Sequence, residues 1–502
     1  MKAGTMGSIT RYAVSGVARQ ILNAAVAFAR PMLLPPELFG LWTLVRAVPP
    51  YASFAHLGSR PAARFAIPYN LAAGREDENA RIEGAIFWGA LATNLLLALW
   101  FAVWGFLPGL SAPERAGMWT LSGLILVAWL QEHYVTVLKA YERFDTLSAA
   151  NYLLPLINLA TLPLIWLFSI YGLFVGAFAG PVLVTLYYRR RFPRPSPPFD
   201  RATFLRLVRR GFPIMALTSS VLLVRTTDRF VISGLLGNEA LGHFGIAIMV
   251  FNFAMNLPAS VREVIEPQMM AGLGENRPDF LREFLFRPLL RTAFFMPFVL
   301  GPAVLLAPAT IRLLLPAYVP GIVSVQIVCL GGFFLALTYI LRSVVVAMGL
   351  ELRAALFGLG IAGGNVALGM GFIRAGWGLE GVAAATSISL GGLYLCLFRL
   401  LRRHAAEPDG WRRASWGGLE PFVALLAGLG ALRLAFGAPQ TLAPALGQTA
   451  LLLLLLAGNG LLFRSSLLEI GGGMRHLLRW RDTGARTGAS GNVDSDDGGR
   501  HA

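Results

Sequence analysis

Arginines set along otherwise apolar segments are the residues of this chain with chemistry to offer. Arg11, Ser15, Arg19 and Asn23 follow one another at four-residue spacing near the N-terminus. At about 100° per helical residue they share, with Arg30, one face about 120° wide, and Gln20 lies about 60° beyond its edge. On a membrane-spanning helix such a polar stripe suits the wall of a hydrated cleft. Arg11 and Arg30 are close enough to the span ends to snorkel to the interfaces, whereas Arg19 is nearer the middle. Arg46 comes next, ahead of a Pro49-Pro50 break that permits a bend. Further along come Arg225, Asp228 and Arg229. Asp228 can pair with Arg225 three residues away on a helix, which leaves Arg229 without a local partner. Arg262 ends one apolar stretch and Arg342 lies within another. Guanidinium forks suit phosphate oxygens, and a cation transporter would be expected to place Asp or Glu where these arginines stand. The signs therefore predict an amphipathic anionic substrate rather than a cationic drug. Glu132-His133 is a candidate proton-responsive pair, with a plain polar contact between helices as the simpler reading.

No nucleophile–base set, zinc signature, phosphate loop or nucleotide fingerprint is visible, so neither enzymatic activity nor a cofactor is expected. The six histidines show no ligand spacing, and Cys329 and Cys396 lie far apart in apolar runs, so no metal site or disulfide framework is suggested. Of 502 residues, 56% are apolar and only 14% charged, with a mean hydropathy of +0.61. A soluble domain carries about 25% charged residues, so this chain cannot cover a water-facing surface.

The elements that must position the arginines are therefore membrane spans. Apolar stretches of about 20 residues suffice to cross the hydrocarbon core. Fourteen are read, at 9–33, 37–58, 83–108, 117–138, 147–168, 170–188, 213–236, 239–261, 289–315, 320–348, 353–373, 379–401, 418–437 and 441–463, with twelve as the alternative count. The formal charge of +16 concentrates in alternate loops: Arg60, Arg64, Arg75 and Arg81; Lys139 and Arg143; then Arg189–Arg210 and later clusters. The opposite loops are short and contain only Arg115. The positive-inside rule then places both termini in the cytoplasm, and nucleic-acid binding is discarded as the meaning of the charge. The preference for Arg over Lys, with abundant Ala, Gly and Leu, is what a GC-rich bacterial genome would give, so the membrane is expected to be a bacterial inner membrane.

The expected fold is an all-α polytopic membrane protein of two six-helix bundles related by a parallel repeat, plus a C-terminal helix pair. Its domains read as an N-terminal lobe (1–188), a basic Pro-rich cytoplasmic linker (189–212), a C-terminal lobe (213–403), helices 13–14 (404–463) and a cytoplasmic tail (464–502) disordered at its end. In the linker, Asp200 is expected to cap a short helix whose Phe204, Leu207 and Val208 face lipid while Arg206, Arg209 and Arg210 face headgroups. Three echoes carry the repeat: Glu37–Gly40 with Glu239–Gly242, Asn158 with Asn365, and Tyr171–Gly176 with Glu380–Ala385, at offsets of 202, 207 and 209 residues.

The pattern resembles the polysaccharide-export, O-antigen flippase-like branch of the multidrug/oligosaccharidyl-lipid/polysaccharide (MOP) flippase superfamily, over residues 8–463. The resemblance rests on Phe39-Gly40-Leu41-Trp42, on Asp228-Arg229-Phe230-Val231-Ile232 followed by Leu236-Gly237 and Gly242, and on Gly381–Ala385. It implies a V-shaped pair of bundles that moves an undecaprenyl-diphosphate-linked oligosaccharide to the periplasmic leaflet by alternating access, for O-antigen, exopolysaccharide or another surface polymer. In the related lipid II flippases, arginines of spans one, two and eight meet the diphosphate; Arg19, Arg46 and Arg262 are the matching residues here. Expected partners are that lipid-linked sugar, the bilayer and polysaccharide polymerase or glycosyltransferases, with the protein itself a monomer. An ion-coupled multidrug exporter of the same fold is the alternative, and a membrane polymerase or ligase a more distant one. The multidrug branch uses a carboxylate in its first half, and span one has none.

Overall fold

A computed structural model of the protein describes residues 3–192, 199–274, 281–404 and 407–462. The described residues are helical and contain no strand. In chain order the helices are α1 (Ala3–Leu33), α2 (Pro36–Ala47), α3 (Pro49–Ala52), α4 (Ser59–Ala72), α5 (Glu76–Trp104), α6 (Ala112–Ala140), α7 (Phe144–Ala160), α8 (Leu162–Arg191) and α9 (Arg201–Gly274). They continue as α10 (Arg287–Leu314), α11 (Ile322–Ala347), α12 (Glu351–Arg374), α13 (Gly378–His404), α14 (Pro408–Phe436) and α15 (Leu442–Leu462).

Ten helices among the described residues are long and apolar enough to cross a membrane. One of them, α9, turns at Gly237 (φ 87°, ψ 175°) and supplies two of the expected segments. Its arms run antiparallel, since Arg225 before the turn meets Asn252 after it. The remaining three expected stretches correspond to α1, the broken α2–α4 and the 17-residue α7, which is too short to be counted among the ten. Between spans five and six the chain turns at Ser169 (φ 53°, ψ −133°) inside α8.

Span two differs from its expected bounds. Pro49-Pro50 starts a new helix, a 3-10 turn comes after it, and left-handed Leu57 (φ 52°) and Gly58 (φ 91°) redirect the chain into α4. Arg60, expected on a solvated loop, is therefore buried on α4, where its Nη2 donates to the Trp129 carbonyl of α6 at 2.7 Å.

The linker differs as well. The Pro-rich stretch 193–198 lies outside the described residues, as does the tail from 463 onward. The short helix expected beyond it is the start of a longer one: α9 begins at Arg201 and runs without interruption into span seven. Phe204 packs on Gly89 of α5 and Leu207 is buried, so the apolar face expected to meet lipid meets protein. Asp200 caps this helix as expected, accepting from the Ala202 amide (3.0 Å) and the Thr203 hydroxyl (2.5 Å). The Thr203 hydroxyl is the main reason its carboxyl is held below the usual aspartate value. A carboxyl with a lowered folded value stabilises above the ordinary aspartate range and loses that contribution as pH falls through the lowered one. Asp200→Ala should accordingly speed amide exchange at Ala202–Phe204 at neutral pH, and the two proteins should converge in strong acid.

Packing in lipid rests on close van der Waals contact, since lipid tails are as apolar as leucine. α1 packs on α7, α5 on α6, and α8 on both α6 and α7; α11 and α12 each pack on α13 and on α9, and α10 carries α14 and α15. Ile67, Ile86, Leu138, Leu147 and Val184 form an apolar cluster of their own among the early helices. α2 departs from this arrangement. It touches α1 little and lies along α9, so that Phe39 and Trp42 belong to the same large core as Phe244 and Phe333.

Candidate functional site

The α2–α9 contact is made by two glycines from one of the sequence echoes. The space a Cβ on Gly40 would need is taken by the Asn238 carbonyl, and that on Gly242 by the Pro36 carbonyl. Corresponding turns thus pack reciprocally, backbone on backbone. Tyr318 closes the same end: its hydroxyl donates to the Leu34 carbonyl at 2.7 Å and its ring meets Phe39 edge-on at 5.7 Å. The other end of the α2–α4 segment is also tied to α9, because Gly58 packs backbone-to-backbone on Gly211.

Between these two contacts lies a cluster of guanidinium groups. Trp42 is buried and takes both Arg30 (5.6 Å) and Arg46 (5.5 Å) on its ring as cation–π partners. Arg46 interacts electrostatically with Arg30 on one side and with Arg229 on the other. It keeps accessible surface although protein surrounds it, as a side chain lining a cleft does. Arg225 is held by Tyr339 (3.2 Å), Asn252 (3.0 Å) and the Phe251 ring (5.8 Å). Tyr51, just past the Pro49-Pro50 break, bonds the Thr226 hydroxyl and packs on Phe230 at 5.8 Å, which fixes the break against α9.

Among the described residues one carboxylate stands with these four cations. Asp228 is buried, accepting from the Arg229 amide (2.8 Å) and the Thr386 hydroxyl (3.4 Å). Among the described residues no ion pair within 4 Å joins it to Arg225 or Arg229. The Nε atoms of Arg30, Arg225 and Arg229 are buried without a hydrogen-bond partner. Unpaired guanidinium donors inside a membrane protein are expensive, and an anion is a partner that would satisfy them. Arg225, Asp228, Arg229, Asn252 and Thr386 also line a small pocket floored by Phe244, Phe251 and Val328.

The remaining sequence candidates fall elsewhere. Arg19 and Asn23 are exposed on α1, while lower on that helix Ser15 accepts from Asn151 of α7 (3.0 Å) and Arg11 pairs with Asp145 (3.2 Å). The Arg262 side chain lies outside the described residues. Glu132 and His133 diverge: Glu132 is exposed within electrostatic reach of Arg60, and the His133 ring stands edge-on to Phe87 at 5.0 Å. Arg342 donates to Thr218 at 3.2 Å. Asn365 is buried against α9, donating to the Val224 carbonyl and the Thr227 hydroxyl at 3.2 Å each. On the earlier side the comparable bond, from α7 to α1, comes from Asn151 rather than Asn158.

Fold and composition together define a multi-pass helical membrane protein. The model of the family described as polysaccharide biosynthesis protein matches residues 121–318. A multidrug resistance MATE family transporter of the MOP superfamily, in an inward-facing conformation, aligns with a TM-score of 0.63 at 14% identity, covering 83% of this chain and 99% of its own. The lipid II flippase MurJ, inward closed, aligns with a TM-score of 0.63 at 16% identity over 92% and 99%. A MOP superfamily transporter from Pyrococcus furiosus, described as having a binding pocket of reverse polarity that suggests a different function, gives 0.56 at 15% over 82% and 96%. No curated protein matches the chain in sequence. Residues 121–318 thus match the polysaccharide biosynthesis family, and the chain shares the fold of these MOP superfamily proteins.

Proposed function

We propose that the protein is a flippase for a lipid carrying a diphosphate-linked oligosaccharide, of the undecaprenyl-diphosphate type, serving cell-surface polysaccharide synthesis at the bacterial inner membrane. The observation that carries this reading is the electrostatically linked cluster of Arg30, Arg46, Arg225 and Arg229, in which Asp228 is the one carboxylate among the described residues. An excess of cationic forks between α1, α2 and α9 neutralises a diphosphate, while the exposed apolar outer faces of the helices leave the lipid tail in the bilayer. The sugar travels with the headgroup. The matched family is described by polysaccharide biosynthesis and one fold relative is a lipid flippase, which agrees with the sign of the site. Alternating access would then open and close the Gly40–Gly242 end, expected to be periplasmic, around this cluster.

A multidrug exporter of the same fold would favour cations, so ligand sign separates the readings. In detergent, inorganic pyrophosphate should raise the melting temperature of the full chain, as a ligand of the folded state does. Ethidium should not. Stabilisation by ethidium with none by pyrophosphate would overturn the flippase reading.

A further inference from the structure

A second group of arginines takes no part in the central cluster. Arg189, Arg190 and Arg191 end α8; Arg201, Arg206, Arg209 and Arg210 occupy the first three turns of α9; all are exposed. Among the described residues none of them pairs with a carboxylate within 4 Å. Arg206 donates only to the Thr203 hydroxyl at 3.4 Å, and Arg191 lies over the Tyr187 ring at 5.8 Å. Asp200, the nearest acidic residue in sequence, is already engaged by Ala202 and Thr203 in the helix cap.

The helix cannot rotate to hide these charges. Its other face is fixed by buried Thr203 and Leu207, by Phe204 on Gly89, and by Gly211 on Gly58. The outward face is not purely cationic. Leu205 is 53% exposed and Phe212 45%, one heptad apart with Arg209 between them, and Phe199 just ahead of the helix is 47% exposed. Cations flanking exposed apolar side chains suit a helix at headgroup depth, with guanidinium groups on phosphate oxygens and the apolar residues among upper acyl carbons. A soluble anion would use the cations and leave Leu205 and Phe212 in water. Arg225 and Arg229 lie farther along the same uninterrupted arm of α9.

We propose that the arginine face of the first three turns of α9 binds the phosphate headgroups of anionic phospholipids and thereby anchors the arm of α9 that carries half of the central arginine cluster. The anchor is independent of what the protein transports.

The test is energy transfer from tryptophan to pyrene-labelled phosphatidylglycerol bound by the detergent-solubilised full chain. Binding should saturate, weaken with salt and be absent with labelled phosphatidylcholine. The triple variant R206Q/R209Q/R210Q should weaken it by about tenfold or more, whereas R402Q/R403Q, at another exposed basic end, should stay within about twofold. Leu205→Gln keeps every charge and should also weaken binding, which keeps the proposal testable if the triple variant unfolds. R46A/R229A should bind the lipid normally, so loss of the diphosphate site is read separately. Unchanged binding by the triple variant or by Leu205→Gln, an equal loss in R402Q/R403Q, or displacement of the lipid by inorganic phosphate would overturn the proposal.

Discussion

Replacing Gly242 with Val is expected to stop transport while leaving the protein folded. The Pro36 carbonyl occupies the space the new side chain needs, and α2 cannot easily shift to make room because Gly40 is already packed backbone-to-backbone on Asn238 and Gly242. Overpacking a close contact costs about 1–3 kcal/mol. That is enough to lower the population closed at this end by about five- to 150-fold. A cysteine introduced by Phe230→Cys, beside Tyr51 in the central cluster, reports the change. Its labelling by an impermeant maleimide added from the side of the Leu34–Glu37 and Gly237–Glu239 turns should rise in the Gly242→Val background. Gly40→Val should behave alike, because the contact is reciprocal. Unaltered labelling and transport in both variants would remove this contact from the gate.

The second large effect belongs to the arginines. Arg229→Ala removes a guanidinium that interacts with Arg225, Asp228 and Tyr51 and that also acts on Arg46. A hydrogen bond to a charged group contributes about 1.5–3 kcal/mol. Pyrophosphate affinity should therefore fall by about ten- to a hundredfold in R229A and in R46A, and Arg229→Lys should recover part of it, since a point charge lacks the fork. Trp42→Leu should also weaken binding, because it removes the ring on which Arg30 and Arg46 rest while leaving every charge in place. Affinities that do not change in any of these variants would place the anion elsewhere.

Much of this arrangement could be read from residue types and spacing. Apolar run length marks the spans, because hydrocarbon thickness sets helix length directly. Arg46, Arg225 and Arg229 stand out because charge inside such a run has a narrow set of explanations. The Glu37–Gly40 and Glu239–Gly242 echo is visible too, although its consequence is not: that the two glycines face each other requires the three-dimensional course of α2 along α9.

Three features depended on long-range packing. Arg60 counts in sequence as a loop charge, and only the left-handed turn at Leu57–Gly58 sends it back into the interior beneath Trp129. Phe204 and Leu207 have the period of a lipid-facing stripe, and nothing local says that Gly89 of α5 will receive them. Asp228 and Arg225 have ideal spacing for a helical ion pair, yet Arg225 is drawn to Asn252 and Tyr339 and Asp228 to Thr386. Competing partners from other helices decided each case. The polar stripe of α1 splits for the same reason: Arg30 reaches Trp42, while Ser15 is taken by Asn151.

The central claim is that these arginines carry a diphosphate-linked sugar lipid across the bilayer. Its most direct test is a flipping assay in vesicles reconstituted with the full chain and a labelled undecaprenyl-diphosphate oligosaccharide. An impermeant glycosidase outside reads how much substrate reaches the outer leaflet. Cleavage should run to completion with the native chain and stop at the initially exposed leaflet both in protein-free vesicles and with R46A/R229A. Cleavage by the native chain that stops where protein-free vesicles stop, or complete cleavage with R46A/R229A, would contradict it.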